Sequence, residues 1–125
     1  MKPIFAAIPI LMLVCLSELT GQTREDLNRQ WLLKHYEYFG FAIDPEEEET
    51  EDFLFLKADG SYSSKDKGQL NKGFWELEQD RLILYDEARE ESISLLIKHL
   101  SRNRLKLEIG EGLESIIAVF VLAKE

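Results

Sequence analysis

Two side chains of the 125-residue chain titrate near neutral pH without help from their surroundings, His35 and His99. They lie far apart in sequence, and neither belongs to an H-x-x-H or H-E-x-x-H spacing that would hold zinc. His99 follows Lys98 near the end of an apolar stretch, where solvent would cover it. His35 shares its alternation parity with Trp31 and would line an interior that Trp31 faces. Acids are denser: Asp44, Glu46 to Glu49, Glu51 and Asp52 fall in one segment. That many oxygen ligands could gather calcium, but the run lacks the glycine and the alternating ligand spacing of a calcium loop. A solvated acidic loop is the simpler reading. There is no G-x-S-x-G, no Gly-rich phosphate loop and no Ser/His/Asp grouping. No metal and no cofactor is implied, and the chain is expected not to be an enzyme.

The length suits one domain, and 45% hydrophobic residues suit a packed one. The net charge is −9. Such a surface repels nucleic acid and anionic headgroups, so neither is an expected partner. Lys2 precedes an apolar run, Ile4 to Leu16. A bilayer span needs about 20 residues. The run is shorter and fits the apolar part of an export signal. The expected boundaries are a signal peptide over 1–21, cut after Gly21 or earlier after Ser17, and one domain over 22–125. The protein would be exported, periplasmic or secreted. The alternative is an envelope lipoprotein anchored through Cys15, although Val14 stands where such signals usually carry a small residue. Cys15 is the only cysteine. The mature domain would therefore have no disulfide and depend on its core.

The elements that must position any site are strands. Thr23 to Asn28 suits a short helical turn. Eight strands are expected, over 30–39, 53–57, 61–65, 73–78, 81–85, 92–98, 104–109 and 115–123. Asp59-Gly60 and a Gly68-centred connection supply turn chemistry, while Ile43 to Asp52 reads as a mobile loop. Short connections force neighbouring strands to be antiparallel. Sequential antiparallel strands with one alternating apolar face predict an all-β, eight-stranded up-and-down barrel. An open sandwich is the competing arrangement.

The chain also resembles a known group. Trp31 in the first strand, Phe55 with Asp59-Gly60 and Tyr62, the Gly73-x-Trp75-x-Leu77 pattern and the spacing of Leu100, Leu105 and Leu107 are similar to bacterial lipocalin-like domains. Such domains occur as small exported proteins in Bacteroidota. The resemblance covers roughly Leu27 to Lys124. It implies a calycin-type eight-stranded barrel with a small apolar cavity. Arg29 departs from the broader lipocalin pattern, which has glycine two residues before the first-strand tryptophan.

The expected interior comprises Phe53, Phe55, Tyr62, Trp75, Leu77 and Leu95, with Ile97, Leu105 and Leu107. These side chains could fill the barrel or line a cavity for an apolar ligand, with Tyr62 and Trp75 offering polar tips. The candidate ligand contacts are Trp31, Phe53, Phe55, Tyr62, Trp75, Leu95 and Leu105. Two functions follow. One is an exported protein that binds a small hydrophobic ligand. The other is a filled-core envelope protein whose acidic loop meets a basic partner. The volume inside the barrel separates them. The residues fix no oligomeric state.

Overall fold

From Gln30 onward, nearly every apolar run with alternating parity becomes a strand, and nearly every Gly or Asp cluster becomes a turn. The computed structural model describes residues 24–110 and 112–123. The expected signal segment, including Cys15, lies outside the described residues. A short helix, α1 (Arg24–Leu27), leads into β1 (Gln30–Tyr38) and β2 (Phe41–Ile43). Then follow β3 (Phe53–Leu56), β4 (Ser61–Asp66), β5 (Gln69–Glu78) and β6 (Arg81–Asp86). The chain finishes with β7 (Glu91–Leu100), β8 (Arg104–Ile109) and β9 (Ile116–Leu122).

All nine strands form one sheet, and each consecutive pair from β3 to β9 is antiparallel. β1 pairs with β3 on one side and with β9 on the other, which closes an eight-stranded barrel. Closure leaves few unpaired edges for another chain to join. The short β2 was not expected. It pairs with the far end of β1, on the side where β3 has ended.

The segment expected to be a mobile loop is ordered. After β2 it forms a 3-10 turn, Glu47–Glu49, and buries Glu49 and Asp52. Each buried acid has partners: the Tyr36 hydroxyl donates to Glu49 Oε2 at 2.7 Å, and the Glu46 N–H donates to Glu49 Oε1 at 3.0 Å. Asp52 accepts from the Lys67 N–H at 2.7 Å and the Gly68 N–H at 3.2 Å. Lys67 and Gly68 hold φ of 53° and 80°. Two such residues make the tight turn that matches strand twist. The turn needs no residues beyond these two, so β5 begins at Gln69 and not at Gly73 as expected.

The interior has two halves. At one end α1 lies beneath the strands, and Leu27, Trp31, Leu56, Trp75, Leu82 and Leu105 are at most 2% exposed. Both tryptophan N–H groups are satisfied there, Trp31 by the Leu27 carbonyl at 3.2 Å and Trp75 by the Lys57 carbonyl at 2.8 Å. The Arg24 guanidinium sits 4.1 Å from the centre of the Trp75 ring. This end is a solid plug. The opposite end is hollow.

Two expectations about which way side chains point are corrected. Phe53 and Phe55 are not the inward pair of β3; Leu54 and Leu56 are, at 4% and 0% exposure. Directly opposed residues of an antiparallel pair share a face. Leu54 opposes Trp31, and Leu56 opposes Tyr62. Phe55 therefore turns outward, where the Lys57 ammonium lies 5.4 Å from its ring centre. His35 does not line the barrel either. The ladder between β1 and β9 slips between Leu33 and His35, leaving Lys34 as an extra residue. A bulge of this kind reverses parity. His35 thus lies on the outer face, with Nε2 3.6 Å from Glu37, while Lys106 meets the same carboxylate at 3.3 Å. A second bulge, between Ile97 and His99, places His99 opposite Lys106 on that outer face.

Candidate functional site

Inward positions nearer the β4–β5 turn become shorter and more polar, and the barrel opens. Along β4, Tyr62, Ser64 and Asp66 share the inner face at alternate positions. Across the ladder, Ser64 faces Asn71, while Tyr62 faces Gly73, which in turn faces Asp86. Asp86 then faces Glu91 at the start of β7. The other wall is apolar, with Leu84, Leu95, Leu107, Ala118 and Phe120 among its residues. Ile93 and Ile109 stand at the mouth, 54% and 41% exposed. Between these walls is a cavity of about 380 Å³. That lies at the small end of ligand-pocket volumes.

Gly73 shapes the polar wall. A Cβ at this position would collide with the Tyr85 carbonyl oxygen and come within 3.1 Å of Tyr62 Cε1. The Tyr62 ring occupies the space that a side chain at 73 would need. Tyr62 is 5% exposed, and its hydroxyl makes no hydrogen bond among the described residues. Burial raises its pKa, with the Asp86 charge adding to the effect and Arg89 opposing it. Tyr36 is raised more strongly, first by burial and then by its hydrogen bond to Glu49.

The acids at the mouth are not equivalent. Asp52 has backbone donors on both oxygens. Asp86 accepts from the Ala88 and Arg89 N–H groups at 3.0 and 3.3 Å. The Asp66 carboxylate, on an exposed residue at the end of β4, accepts no hydrogen bond and makes no ion pair among the described residues. Loss of solvent raises its pKa, the Asp52 charge raises it further, and Lys67 partly offsets both. Asp59, by contrast, belongs to a turn at the plugged end. It accepts from the Ser61 hydroxyl at 2.6 Å and the Ser61 N–H at 2.9 Å, and these bonds hold its pKa low.

A raised carboxylate pKa has a definite sign in stability. In the unfolded chain Asp66 titrates near its ordinary 3.8, and in the folded protein it titrates higher. The folded state therefore binds more protons in between, and stability falls as pH rises through that window. Asp66→Asn is expected to be more stable than the parent protein at pH 7. The difference should vanish at pH 3, as urea melts at the two pH values would report.

The candidate contacts named from the sequence divide between the two ends. Tyr62 and Leu95 line the cavity, and Phe53 borders it from β3 although its side chain belongs to the outer face. Trp31, Trp75 and Leu105 belong to the plug, and Phe55 lies outside. Ser64, Asp66, Asn71 and Asp86 were missed. For the β4 pair a signal was present, because Ser64 and Asp66 share the parity of Tyr62. For Asp86 the signal was its parity with Leu82 and Leu84. Among the described residues no three His, Asp or Glu side chains come together as a metal site would require. No described helix is long and apolar enough to cross a membrane.

Two solved structures are similar to this chain. One is a lipocalin-like protein from Bacteroides uniformis ATCC 8492, with a TM-score of 0.60 at 19% identity, covering 78% of this chain and 99% of that one. The other is an uncharacterized protein from Bacteroides eggerthii DSM 20697, with a TM-score of 0.56 at 15% identity and the same coverage. No family model and no curated protein matches the chain. Closed barrel and neighbours agree: the chain has the lipocalin-like fold that its sequence resembles.

Proposed function

We propose that the protein is an exported binding module that takes a small hydrophobic molecule into the open end of its barrel, without catalysis. The observation that carries this reading is the cavity of about 380 Å³, apolar on one wall and open at one end. Apolar pockets with a few placed polar groups are the usual form of small-molecule sites. The lipocalin-like fold of the neighbours supports the same reading. Export is supported by Lys2 and the apolar run after it.

The alternative, a filled envelope interaction protein, needs a solid interior and a free acidic loop. The cavity argues against the first requirement. Burial of Glu49 and Asp52 within that loop weakens the second. The test uses N-phenyl-1-naphthylamine, a neutral dye that brightens in apolar surroundings. Saturable brightening is expected with the parent protein. Ile93→Trp, at an exposed lining position, is expected to weaken it about tenfold by occupying the mouth. Absence of saturable binding by the parent protein would sink the proposal.

A further inference from the structure

We propose that the occupant is an amphipathic amine, with its alkyl chain against the apolar wall and its ammonium held among Tyr62, Asp66 and Asp86. The inference rests on the binding reading above and adds the sign of the ligand's charge.

Tyr62 is the first ground. A buried hydroxyl without a partner is a costly arrangement, and native proteins rarely leave one unexplained. Tyr62 is 95% covered, has no hydrogen-bond partner among the described residues, and lines the cavity. A ligand group at that spot would satisfy it. The row Tyr62, Gly73, Asp86 puts a carboxylate two strands away, with no side chain between them. An occupant that meets the phenol therefore lies close to an anion.

The balance of charge is the second ground. Four carboxylates line the cavity, those of Asp52, Asp66, Asp86 and Glu91, against two cations, Lys65 and Arg89. Both cations are already engaged. Lys65 reaches Glu51 at 3.4 Å, and Arg89 reaches Asp86 at 3.9 Å and Gln69 at 3.5 Å. Asp52 is occupied by its two backbone donors, and Asp86 by the Ala88 and Arg89 N–H groups on one oxygen and the Arg89 side chain near the other, whereas the exposed Asp66 carboxylate at the rim is unpaired among the described residues. An ammonium supplies three donors and a positive charge, which suits a phenol beside carboxylates. A carboxylate ligand would bring a fifth negative charge to the same mouth, and an alcohol would gain the phenol contact only.

Displacement of N-phenyl-1-naphthylamine by decylamine, decanol and decanoate at pH 7 separates these cases, with each kept below its micelle-forming concentration. The expected order is decylamine, then decanol, then decanoate, with about tenfold between the first two. Raising the salt concentration should narrow that gap. Asp66→Asn with Asp86→Asn should remove the gap by weakening decylamine. Glu91→Gln, at an exposed position, should narrow it with little risk to folding. Equal displacement by all three compounds, or a preference for decanoate, overturns the amine inference and leaves the binding reading standing. If the dye itself does not bind, both readings fail together.

Discussion

Gly73→Ala is expected to destabilise the protein by about 3 kcal/mol or more, a large share of the stability of a small domain. The added methyl carbon would run into the Tyr85 carbonyl oxygen on one side and the Tyr62 ring on the other. Neither can yield cheaply. The carbonyl belongs to β6, whose ladder with β5 runs unbroken from Gly73 opposite Asp86 to Glu78 opposite Arg81. Tyr62 is enclosed on its own strand. Glycine within a strand usually weakens it, so its presence here marks a close approach of backbone and ring. Lys72→Ala, one residue earlier and exposed, is the control and should stay within about 0.5 kcal/mol. Urea midpoints for the two variants decide the matter, and similar midpoints would refute the packing argument.

Trp31→Ala is expected to cost about 4 kcal/mol, in the range for deleting a large buried aromatic. Trp31 is fully buried, faces Leu54 on one neighbouring strand and Leu122 on the other, and ties α1 to the barrel through the Leu27 carbonyl. Trp31→Phe keeps most of the ring volume and removes the donor, leaving the carbonyl without that partner. That variant should lose about 1–2 kcal/mol. Its dye affinity should match that of the parent protein, because Trp31 belongs to the plug and not to the cavity. A marked loss of affinity in a folded Trp31→Phe variant would place the tryptophan in the binding site after all.

The strands were legible because alternation and turn chemistry agree over most of the chain. Ile93, Leu95 and Ile97 alternate with smaller or exposed neighbours, and Gly68 marks a turn that the backbone then makes. Direction was harder to read than existence. Phe53-Leu54-Phe55-Leu56 is apolar on both parities, so only its register with Trp31 and Tyr62 decides which pair enters the core. His35 was misplaced by one extra residue at Lys34, and nothing in the composition of Leu33-Lys34-His35 announces a bulge. The acidic segment misled for a related reason. Like charges in a run suggest repulsion and solvent, yet Glu49 and Asp52 each find donors supplied by distant residues. A cavity was expected from the resemblance, but its polar wall was not, because that wall depends on which residues the ladder sets beside Tyr62 across β4 to β7. A strand pattern reports side chains, and the room that the Tyr62 ring takes comes from a missing one at Gly73.

The plug also has a consequence for how the molecule can be held. Arg24 lies over Trp75 beneath the barrel, and the Ala123 N–H donates to the Gln30 carbonyl at 3.0 Å at that same end. Both ends of the described domain thus leave from its floor, while the turn at Lys67-Gly68 and the start of β7 surround its mouth. Whatever is joined to either end, whether a surface, a tag or a second domain, grips the base of the cup and leaves the rim facing the surrounding solution.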